Sequence, residues 1–250
     1  MQTISKKRRY PALLACVLIL LSCVIKVGAV STGFKTVELT QEEKEAFIAY
    51  IDMHRIEQEP ARRTIAYFDV NADGLIAVAQ LSTGKEVVCV YSDDGIFQYG
   101  YTFDCYGAVA VEWDEKNLNV YFVRSGKIVS LTPSGEILDV LERDDHAQEN
   151  TYYYNHDISA NKKTVGDTEY FIRSDLGVLN FFASAHSRIV VKEANGTERI
   201  IYDVNAAQFG TILVAVIAFV GFFSGIIITI VRKTVEKQQG HGHGQGDGSV

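Results

Sequence analysis

The sequence predicts a mainly β fold, with about twelve antiparallel strands between two hydrophobic segments near the ends of the chain. From Arg62 onward, apolar and polar residues alternate in short runs, which is typical of half-buried strands. Asp-Gly, Ser-Gly and Asn-Gly pairs separate these runs, and such pairs favour tight hairpin turns. Strands that follow one another through short turns pair with their neighbours, so we expect antiparallel sheets.

The apolar run at residues 209–231 predicts a transmembrane helix. Its 23 residues include no charged side chain, and about 20 apolar residues are enough to cross a bilayer. A soluble helix would carry polar residues at every third or fourth position. Within the run, Gly221 and Gly225 form a G-x-x-x-G pattern, which allows close helix packing and favours a homo-oligomer or pairing with the first hydrophobic segment.

The N-terminal hydrophobic segment, residues 10–30, has three interpretations. Residues 1–9 carry four basic side chains and would form a cytoplasmic N-terminus. The segment after them is an uncleaved transmembrane anchor in which Lys26 reaches toward the headgroups. It is alternatively a secretory signal sequence cleaved after Val27-Gly28-Ala29, or a lipoprotein signal ending at Cys23. All three interpretations place the middle of the chain outside the cytoplasm.

The distribution of charge supports the same topology. Residues 31–209 contain 16 Lys or Arg and 29 Asp or Glu, whereas basic residues flank both hydrophobic segments on their outer sides. Cytoplasmic segments carry the excess of Lys and Arg. We therefore expect a bacterial plasma-membrane protein with both termini in the cytoplasm, residues 232–250 forming a disordered tail. An acidic domain also argues against nucleic acid as a partner.

Residues 31–61 predict a juxtamembrane segment with one amphipathic helix. Thr40-Gln41-Glu42-Glu43 matches a capping box. Phe47, Tyr50, Ile51 and His54 then recur at helical spacing, and Pro60 ends the run. The apolar face of this helix is expected to lean on the β domain or on the membrane surface.

The extracytoplasmic β domain is predicted to span residues 62–205. Its expected strands are 64–70, 75–81, 86–91, 96–103, 108–113, 118–123, 127–131, 136–141, 169–173, 177–182, 188–192 and 198–204. With Asp93-Asp94 at the tip of a hairpin, Cys89 would face Gln98, and Cys105 would lie beyond it, so we expect two free thiols.

The twelve expected strands fall into three groups of four that resemble one another. In each group a basic residue, Lys85, Lys127 or Arg188, opens the third strand, and that strand ends at a turn glycine, Gly95, Gly135 or Gly196. The first two glycines are 40 residues apart, and an insertion at about 143–167 lengthens the second spacing to 61. The pattern resembles propeller-type repeats of the NHL or quinoprotein-like kind and implies three four-stranded propeller-like units. A β-sandwich or barrel is the alternative.

The insertion holds the main candidate binding residues. Its candidates are Tyr152, Tyr153, Tyr154, His156 and Asp157. Long loops often carry function, and tyrosine offers a large amphipathic contact surface. The same tyrosines would alternatively cover the edge of a strand above the core.

A second candidate site is a calcium turn at Asp69, Asn71 and Asp73. The run from Asp69 to Gly74 reads D-x-N-x-D-G, the opening of a calcium loop, but Gln80 occupies the twelfth position, where an EF-hand has Glu. Asp, Asn and Gly are also the residues that tight turns use.

No catalytic motif accompanies these candidates, so the sequence predicts a protein that is not an enzyme and has no cofactor. The leading hypothesis is a membrane-anchored binding or scaffold module that contacts another membrane or cell-surface protein. The alternative is an accessory subunit of a membrane complex that is recognised through its transmembrane helices.

Overall fold

The computed structural model describes residues 30–82, 84–183 and 185–241, without the side chains of residues 182 and 234–241. The predictions for the basic N-terminus and for the first hydrophobic segment lie outside these residues, as does the end of the predicted tail.

Antiparallel strands dominate the described residues, as predicted. The strands are β1 Thr36–Glu38, β2 His54–Ile56, β3 Ile65–Val70, β4 Ile76–Gln80, β5 Glu86–Tyr91, β6 Phe97–Phe103, β7 Val109–Asp114, β8 Asn117–Phe122, β9 Lys127–Leu131, β10 Ile137–Arg143, β11 Lys162–Val165, β12 Thr168–Arg173, β13 Arg188–Lys192 and β14 Glu198–Asp203. The helices are α1 Gln41–Ile51, α2 Gln148–Tyr153 and α3 Asn205–His241, with a π-helical turn Tyr154–Ile158 and a 3-10 helix Gly177–Phe182.

The strands form three sheets, each built on a meander of four consecutive strands. Sheet I contains β3 to β6 with β2 beside β6, sheet II contains β7 to β10 with β1 beside β10, and sheet III contains β11 to β14. The predicted division of the strands into three groups is therefore confirmed, but two of the three sheets contain five strands instead of four. The sheets do not close into a barrel or a propeller within the described residues.

Sheet I lies between the other two sheets and is buried on both faces. Successive residues of a strand point to opposite faces, so Val88 and Val90 of β5 join the core shared with sheet II, whereas Cys89 and Tyr91 join the core shared with sheet III. All residues of β4 are buried. Each fully buried aliphatic or aromatic side chain contributes roughly 1.5–3 kcal/mol to the free energy of folding. Side chains on both faces of sheet I make this contribution.

One predicted strand was wrong, and three observed strands, β1, β2 and β11, were missed. Residues 177–182 form a 3-10 helix that begins at Gly177 with φ +57, a left-handed conformation that interrupts an extended chain. The first strand of sheet III is instead β11, inside the predicted insertion. It pairs with β12 through the two-residue turn Gly166-Asp167, in which Gly166 has φ +58.

Residues 31–61 contribute to the β domain instead of forming a separate segment. Strand β1 pairs with β10, and β2 pairs with β6. The capping box of α1 is confirmed, because the Thr40 hydroxyl accepts from the Glu43 N–H while the Glu43 carboxylate accepts from the Thr40 N–H at 2.9 Å. The helix ends at Ile51, earlier than predicted, since Asp52 takes a left-handed conformation with φ +39.

Helix α1 packs on the β domain. The Phe47 ring lies 5.2 Å from the Phe122 ring of sheet II, and Ile51 is fully buried. His54, predicted to continue the helical face, begins β2 and lies opposite Thr102. The apolar spacing therefore predicted the burial of Phe47 and Ile51, whereas Tyr50, predicted on the same face, is 52% exposed.

The register of the β5–β6 hairpin differs from the prediction by two residues. Cys89 lies opposite Gly100 instead of Gln98. One residue of the difference arises in the turn, since Tyr91 lies opposite Phe97 instead of Ile96, and the register shift between Val90 and Tyr91 adds the second. Neither Cys89 nor Cys105 forms a disulfide, in agreement with the expectation. Burial raises the pKa of the Cys89 thiol to about 12 and that of the Cys105 thiol to about 11, so both stay protonated at neutral pH.

Candidate binding surface and membrane junction

The candidate binding residues lie on α2 and the π-helical turn that follows it. Buried Asn150 fixes this segment to the strands: its side-chain amide donates to the carbonyls of Lys35 and Asp144, each at 2.8 Å, and its side-chain oxygen accepts from the Lys35 N–H at 2.7 Å. Three hydrogen bonds from one buried amide satisfy most of its capacity. The segment is therefore held rigidly, although it is an insertion.

Two of the three candidate tyrosines point into the protein. The Tyr153 hydroxyl donates to Glu112 Oε1 at 2.5 Å, and its ring meets the Phe34 ring edge-on at 5.0 Å. The Tyr154 hydroxyl shares a hydrogen bond of 2.5 Å with the Tyr67 hydroxyl. Burial is the main cause that raises the pKa of both phenols, so both stay protonated. These tyrosines cover strands, which is the alternative that the sequence left open.

Tyr152 and His156 point outward. Tyr152 is 64% exposed, and its ring is stacked on the His156 imidazole with 3.9 Å between centroids and 14° between planes. His156 Nδ1 is hydrogen-bonded to the Tyr152 carbonyl at 2.9 Å, which fixes the imidazole against the helix. The two residues are four positions apart, and such positions are neighbours on a helix surface. Together they form a flat, rigid aromatic surface open to solvent, named here the Tyr152–His156 pair.

Asp157 is exposed beside this pair, and its carbonyl accepts from Lys163 Nζ at 2.7 Å. The structure thus brings three of the five predicted binding residues to the surface and turns the other two inward. Binding by any of them stays a prediction. Sequence reasoning missed Glu112, whose carboxylate also accepts from the Thr32 hydroxyl at 2.6 Å and the Gly33 N–H at 2.9 Å. No local motif marks a residue that gathers partners about 80 positions away.

Comparison of the chain with models of known protein families, with curated proteins and with solved structures found no match.

The candidate calcium turn connects β3 and β4, and the side-chain oxygens of Asp69 and Asn71 have partners within the protein. Asn71 Oδ1 accepts from the N–H groups of Asp73 at 3.0 Å and Leu75 at 2.8 Å, which closes the turn. Asp69 Oδ2 accepts from the Trp113 N–H at 2.8 Å, while Asp69 Oδ1 lies 3.2 Å from Lys163 Nζ. These contacts account for Asp69 and Asn71 without an ion, and calcium binding stays a prediction. The part of the chain described here contains no group of three or more His, Cys, Asp or Glu that could hold a metal.

Helix α3 begins two residues after β14 ends and is the one described helix long and apolar enough to cross a membrane. The candidate span is Asn205–Lys233, 29 residues, and its most apolar stretch has no side chain buried within the described residues. Gly221 and Gly225 lie in this exposed stretch, where a Cβ added to either glycine would meet no atom within 4 Å in the described protein. Packing through these glycines stays a prediction.

A network of hydrogen bonds joins the first two turns of α3 to sheet III. Gln208, which is 7% exposed, donates to the Ala185 carbonyl at 2.7 Å and accepts from the Ser174 hydroxyl at 3.1 Å. Asn205 Oδ1 accepts from the hydroxyl of fully buried Ser187 at 2.7 Å. Buried polar groups joined in this way specify one arrangement, because any other arrangement would leave them unpaired. We call the set Ser174, Ala185, Ser187, Asn205 and Gln208 the junction network.

The junction also forms the wall of an open groove of about 390 Å³. Helix α3 contributes Ala207, Gln208, Thr211 and Ile212, and the β domain contributes Arg62, Arg63, Thr64, Leu81, Ala185 and Val204. The Arg62 guanidinium lies over the rings of Tyr91 and Tyr202, 5.1 Å from each centroid. This arginine is therefore committed to packing within the β domain, whereas Arg63 is exposed.

Proposed function

We propose that this protein is a membrane-tethered binding module whose β domain presents the Tyr152–His156 pair to a partner protein at the cell surface or in the membrane. The proposal includes the predicted topology, with the β domain on the extracytoplasmic side of a bacterial plasma membrane and no enzymatic activity. The observation that carries the proposal is the rigid outward stack of Tyr152 on His156.

A rigid aromatic surface favours binding because little conformational entropy is lost when a partner covers it. Tyrosine is enriched among residues that dominate binding energy, since it buries a large area and keeps a polar hydroxyl. Asn150, Tyr153 and Tyr154 hold the backbone beneath the pair through partly buried hydrogen bonds. The inward tyrosines thereby support the outward one.

The junction network adds a fixed orientation to this surface. A flexible linker between β14 and α3 would let the β domain tumble above the membrane. Here one residue separates the strand from the helix, and the buried side chain of Gln208 ties the helix to the Ser174–Ser187 loop. We infer that the Tyr152–His156 pair is held at one angle to the bilayer, which suits contact with another membrane protein.

The three sheets are further proposed to be propeller-like units. The first strands of the sheets lie next to one another, since β3 contacts both β7 and β11. The last hairpin of each sheet has the same turn, in which a glycine with positive φ donates to the residue three positions earlier, as Gly95, Gly135 and Gly196 do. These common features support the proposal that one unit is repeated three times. A closed propeller ring would then need further units from a partner or from a second copy of the chain.

The test is capture of partners by the full-length protein in mild detergent, comparing the natural protein with the double variant Tyr152→Ala/His156→Ala. Tyr106→Ala is the matched control, because Tyr106 is 80% exposed and lies on the loop between β6 and β7. We expect the double variant to lose at least about tenfold in captured partner, as truncation of a central aromatic contact costs on the order of 2 kcal/mol or more. Tyr106→Ala should capture the same amount as the natural protein.

If the double variant captured as much partner as the natural protein, the Tyr152–His156 pair would not be the binding surface. The alternative, an accessory subunit recognised through α3, is favoured by the open space around Gly221 and Gly225. It predicts that capture survives the Tyr152–His156 substitutions and is lost in Gly221→Ile/Gly225→Ile, because bulky side chains prevent close approach of helix backbones. Gly210→Ile, also in open space on α3, is the control for that outcome.

A further inference from the structure

The loop between β12 and β13 exposes apolar side chains to solvent. Residues 176–185 contain no charged side chain, and they lie between Asp175 and His186. Within them, Val178 is 90% exposed and Phe181 is 88% exposed. Exposed apolar residues grouped on one short element mark a surface that contacts another molecule or a membrane.

The 3-10 helix Gly177–Phe182 gives this loop a defined shape. Leu176 is buried at its base, and its N–H donates to Asn180 Oδ1 at 3.0 Å. The turn closes through further backbone bonds from Leu179 to Leu176 at 3.2 Å and from Ala183 to Asn180 at 3.1 Å. Val178 and Phe181 project from this closed turn, and Asn180, the polar side chain between them, is used inside the loop.

The loop is tied to the start of α3 at its base. The Asp175 N–H donates to Asn205 Oδ1 at 3.0 Å, and the Asn205 side-chain amide donates to the Asp175 carbonyl at 3.0 Å. At the other end of the loop, Gln208 holds the Ala185 carbonyl. The 3-10 helix itself contacts α3. The apolar turn therefore lies beside the point where α3 leaves the β domain.

We propose that the 3-10 helix Gly177–Phe182 inserts Val178 and Phe181 into the bilayer that α3 crosses, on the side that faces the β domain. This inference rests on the membrane anchoring proposed above. Phe209, on the second turn of α3, is 43% exposed and adds to the apolar surface at this level. Residues 176–185 offer no charged group for a protein partner to pair with, whereas the interfacial zone of a bilayer accepts apolar and aromatic side chains on a short amphipathic element.

Two insertions beside each other would hold the β domain more firmly than one helix does. A single helix leaves the domain free to rotate about the helix axis. A second contact, displaced from that axis, removes this rotation at the membrane surface. The turn would thus work with the junction network to set the direction in which the Tyr152–His156 pair faces.

Fluorescence quenching of single added tryptophans in vesicles of phosphatidylcholine, with ordinary or brominated acyl chains, tests the inference on the full-length protein. Native Trp113, which packs against the core, provides the baseline. The variants are Val178→Trp and Phe181→Trp in the loop, Val220→Trp in the middle of α3, and Ile96→Trp in the β5–β6 turn. Ile96 is an exposed apolar residue at the opposite end of β5 from Leu81, which lines the groove beside α3.

We expect brominated lipid to remove roughly half or more of the emission added by each loop tryptophan, because interfacial elements lie about 5–10 Å into the headgroup and acyl boundary. The Val220→Trp emission should also be quenched, and the Ile96→Trp emission should not change. Quenching at Val220 without quenching at Val178 and Phe181 would overturn the loop inference and leave the membrane anchor intact.

Absence of quenching at all positions, including Val220, would overturn the anchor and the loop inference together. Acrylamide distinguishes one further result. A loop tryptophan shielded from both brominated lipid and aqueous acrylamide would be covered by protein, and that result would overturn insertion in favour of a protein contact. The added tryptophans replace exposed residues, and a circular dichroism spectrum equal to that of the natural protein confirms that each variant is folded.

Discussion

Single residues of this protein show how burial changes chemistry. Glu86 begins β5 opposite Phe103 and is only 6% exposed. Burial raises the pKa of its carboxyl to about 7, although the charge of Arg63 acts in the opposite direction. A carboxyl with a raised pKa keeps its proton in the folded state at a pH where the unfolded chain has lost it. The cost of ionising Glu86 therefore appears as a loss of stability.

The expected pH dependence follows from that sign. Glu86 has no effect below about pH 4.5, lowers stability as pH rises toward about 7, and contributes a constant penalty above that value. At about 1.4 kcal/mol per pKa unit, the full effect is on the order of 3 kcal/mol. We expect Glu86→Gln to raise the unfolding temperature at pH 8 and to have little effect near pH 4.

Thermal unfolding in detergent, followed by circular dichroism, measures this difference, with Glu136→Gln as an exposed control. An equal effect of Glu86→Gln at both pH values would contradict the raised pKa.

At the scale of elements, one hairpin turn recurs in all three sheets. The N–H of Gly95 donates to the Ser92 carbonyl at 2.9 Å, and Gly135 and Gly196 make the corresponding bonds at 2.9 and 2.8 Å. All three glycines have φ between +77 and +90. The turn between β3 and β4, which contains the candidate calcium residues, has the same bonds at Gly74. Turn chemistry alone therefore accounts for the sequence pattern at that site.

Gly95 has a second constraint that Gly126 does not have. A Cβ on Gly95 would overlap the backbone carbonyl of Ile201 in sheet III, whereas a Cβ on Gly126 would meet no atom within 4 Å. Both residues have positive φ, +77 and +71. We expect Gly126→Ala to cost about 1–2 kcal/mol from backbone strain alone, and Gly95→Ala to cost a further 1–3 kcal/mol, roughly, because the two sheets must separate.

Denaturant unfolding of both variants in detergent provides the comparison. Equal losses of stability would show that sheets I and III do not meet closely at this turn.

At the scale of the whole molecule, the β domain and α3 behave as connected parts because buried polar groups cross the junction. Gln208 has two partners on the Ser174–Ser187 loop, while Thr211, one turn later, donates to the Ala207 carbonyl within the helix at 3.0 Å. Removing Gln208 would take away the shorter of the two hydrogen bonds to the Ala185 carbonyl and leave it with the Ser174 hydroxyl, at 3.3 Å, as its donor. The loop would then open more readily.

We expect Gln208→Leu to increase amide hydrogen exchange in residues 174–187 by about tenfold, which corresponds to loss of about 1.4 kcal/mol of local stability. Thr211→Val, which removes a hydroxyl of the same helix, should leave exchange in this loop unchanged. Hydrogen exchange with mass spectrometry in detergent micelles measures both variants. Unchanged exchange in Gln208→Leu would mean that the loop is held by other contacts.

The β architecture could be predicted because its signals are local. Alternation of apolar residues, turn glycines and the Thr40–Glu43 capping box each reflect interactions within a few positions, so eleven of the twelve predicted strands, the start of α1 and the apolar C-terminal helix are present in the structure. Residues 177–182 were predicted as a strand because an apolar run looks the same whether it enters a sheet or lies exposed.

The division of the candidate site was decided by long-range contacts. Three identical side chains follow one another at Tyr152, Tyr153 and Tyr154. The helix turns each of them in a different direction, and Tyr153 and Tyr154 find partners in Glu112 and Tyr67, so Tyr152 is the one that is exposed. The edge strands β1 and β2, and the junction network, likewise depend on partners far away in the chain. Composition and periodicity thus determined which segments are β strands and which helix is apolar. The tertiary structure decided which tyrosine faces solvent and how α3 joins the domain, because burial is a property of the packed neighbours.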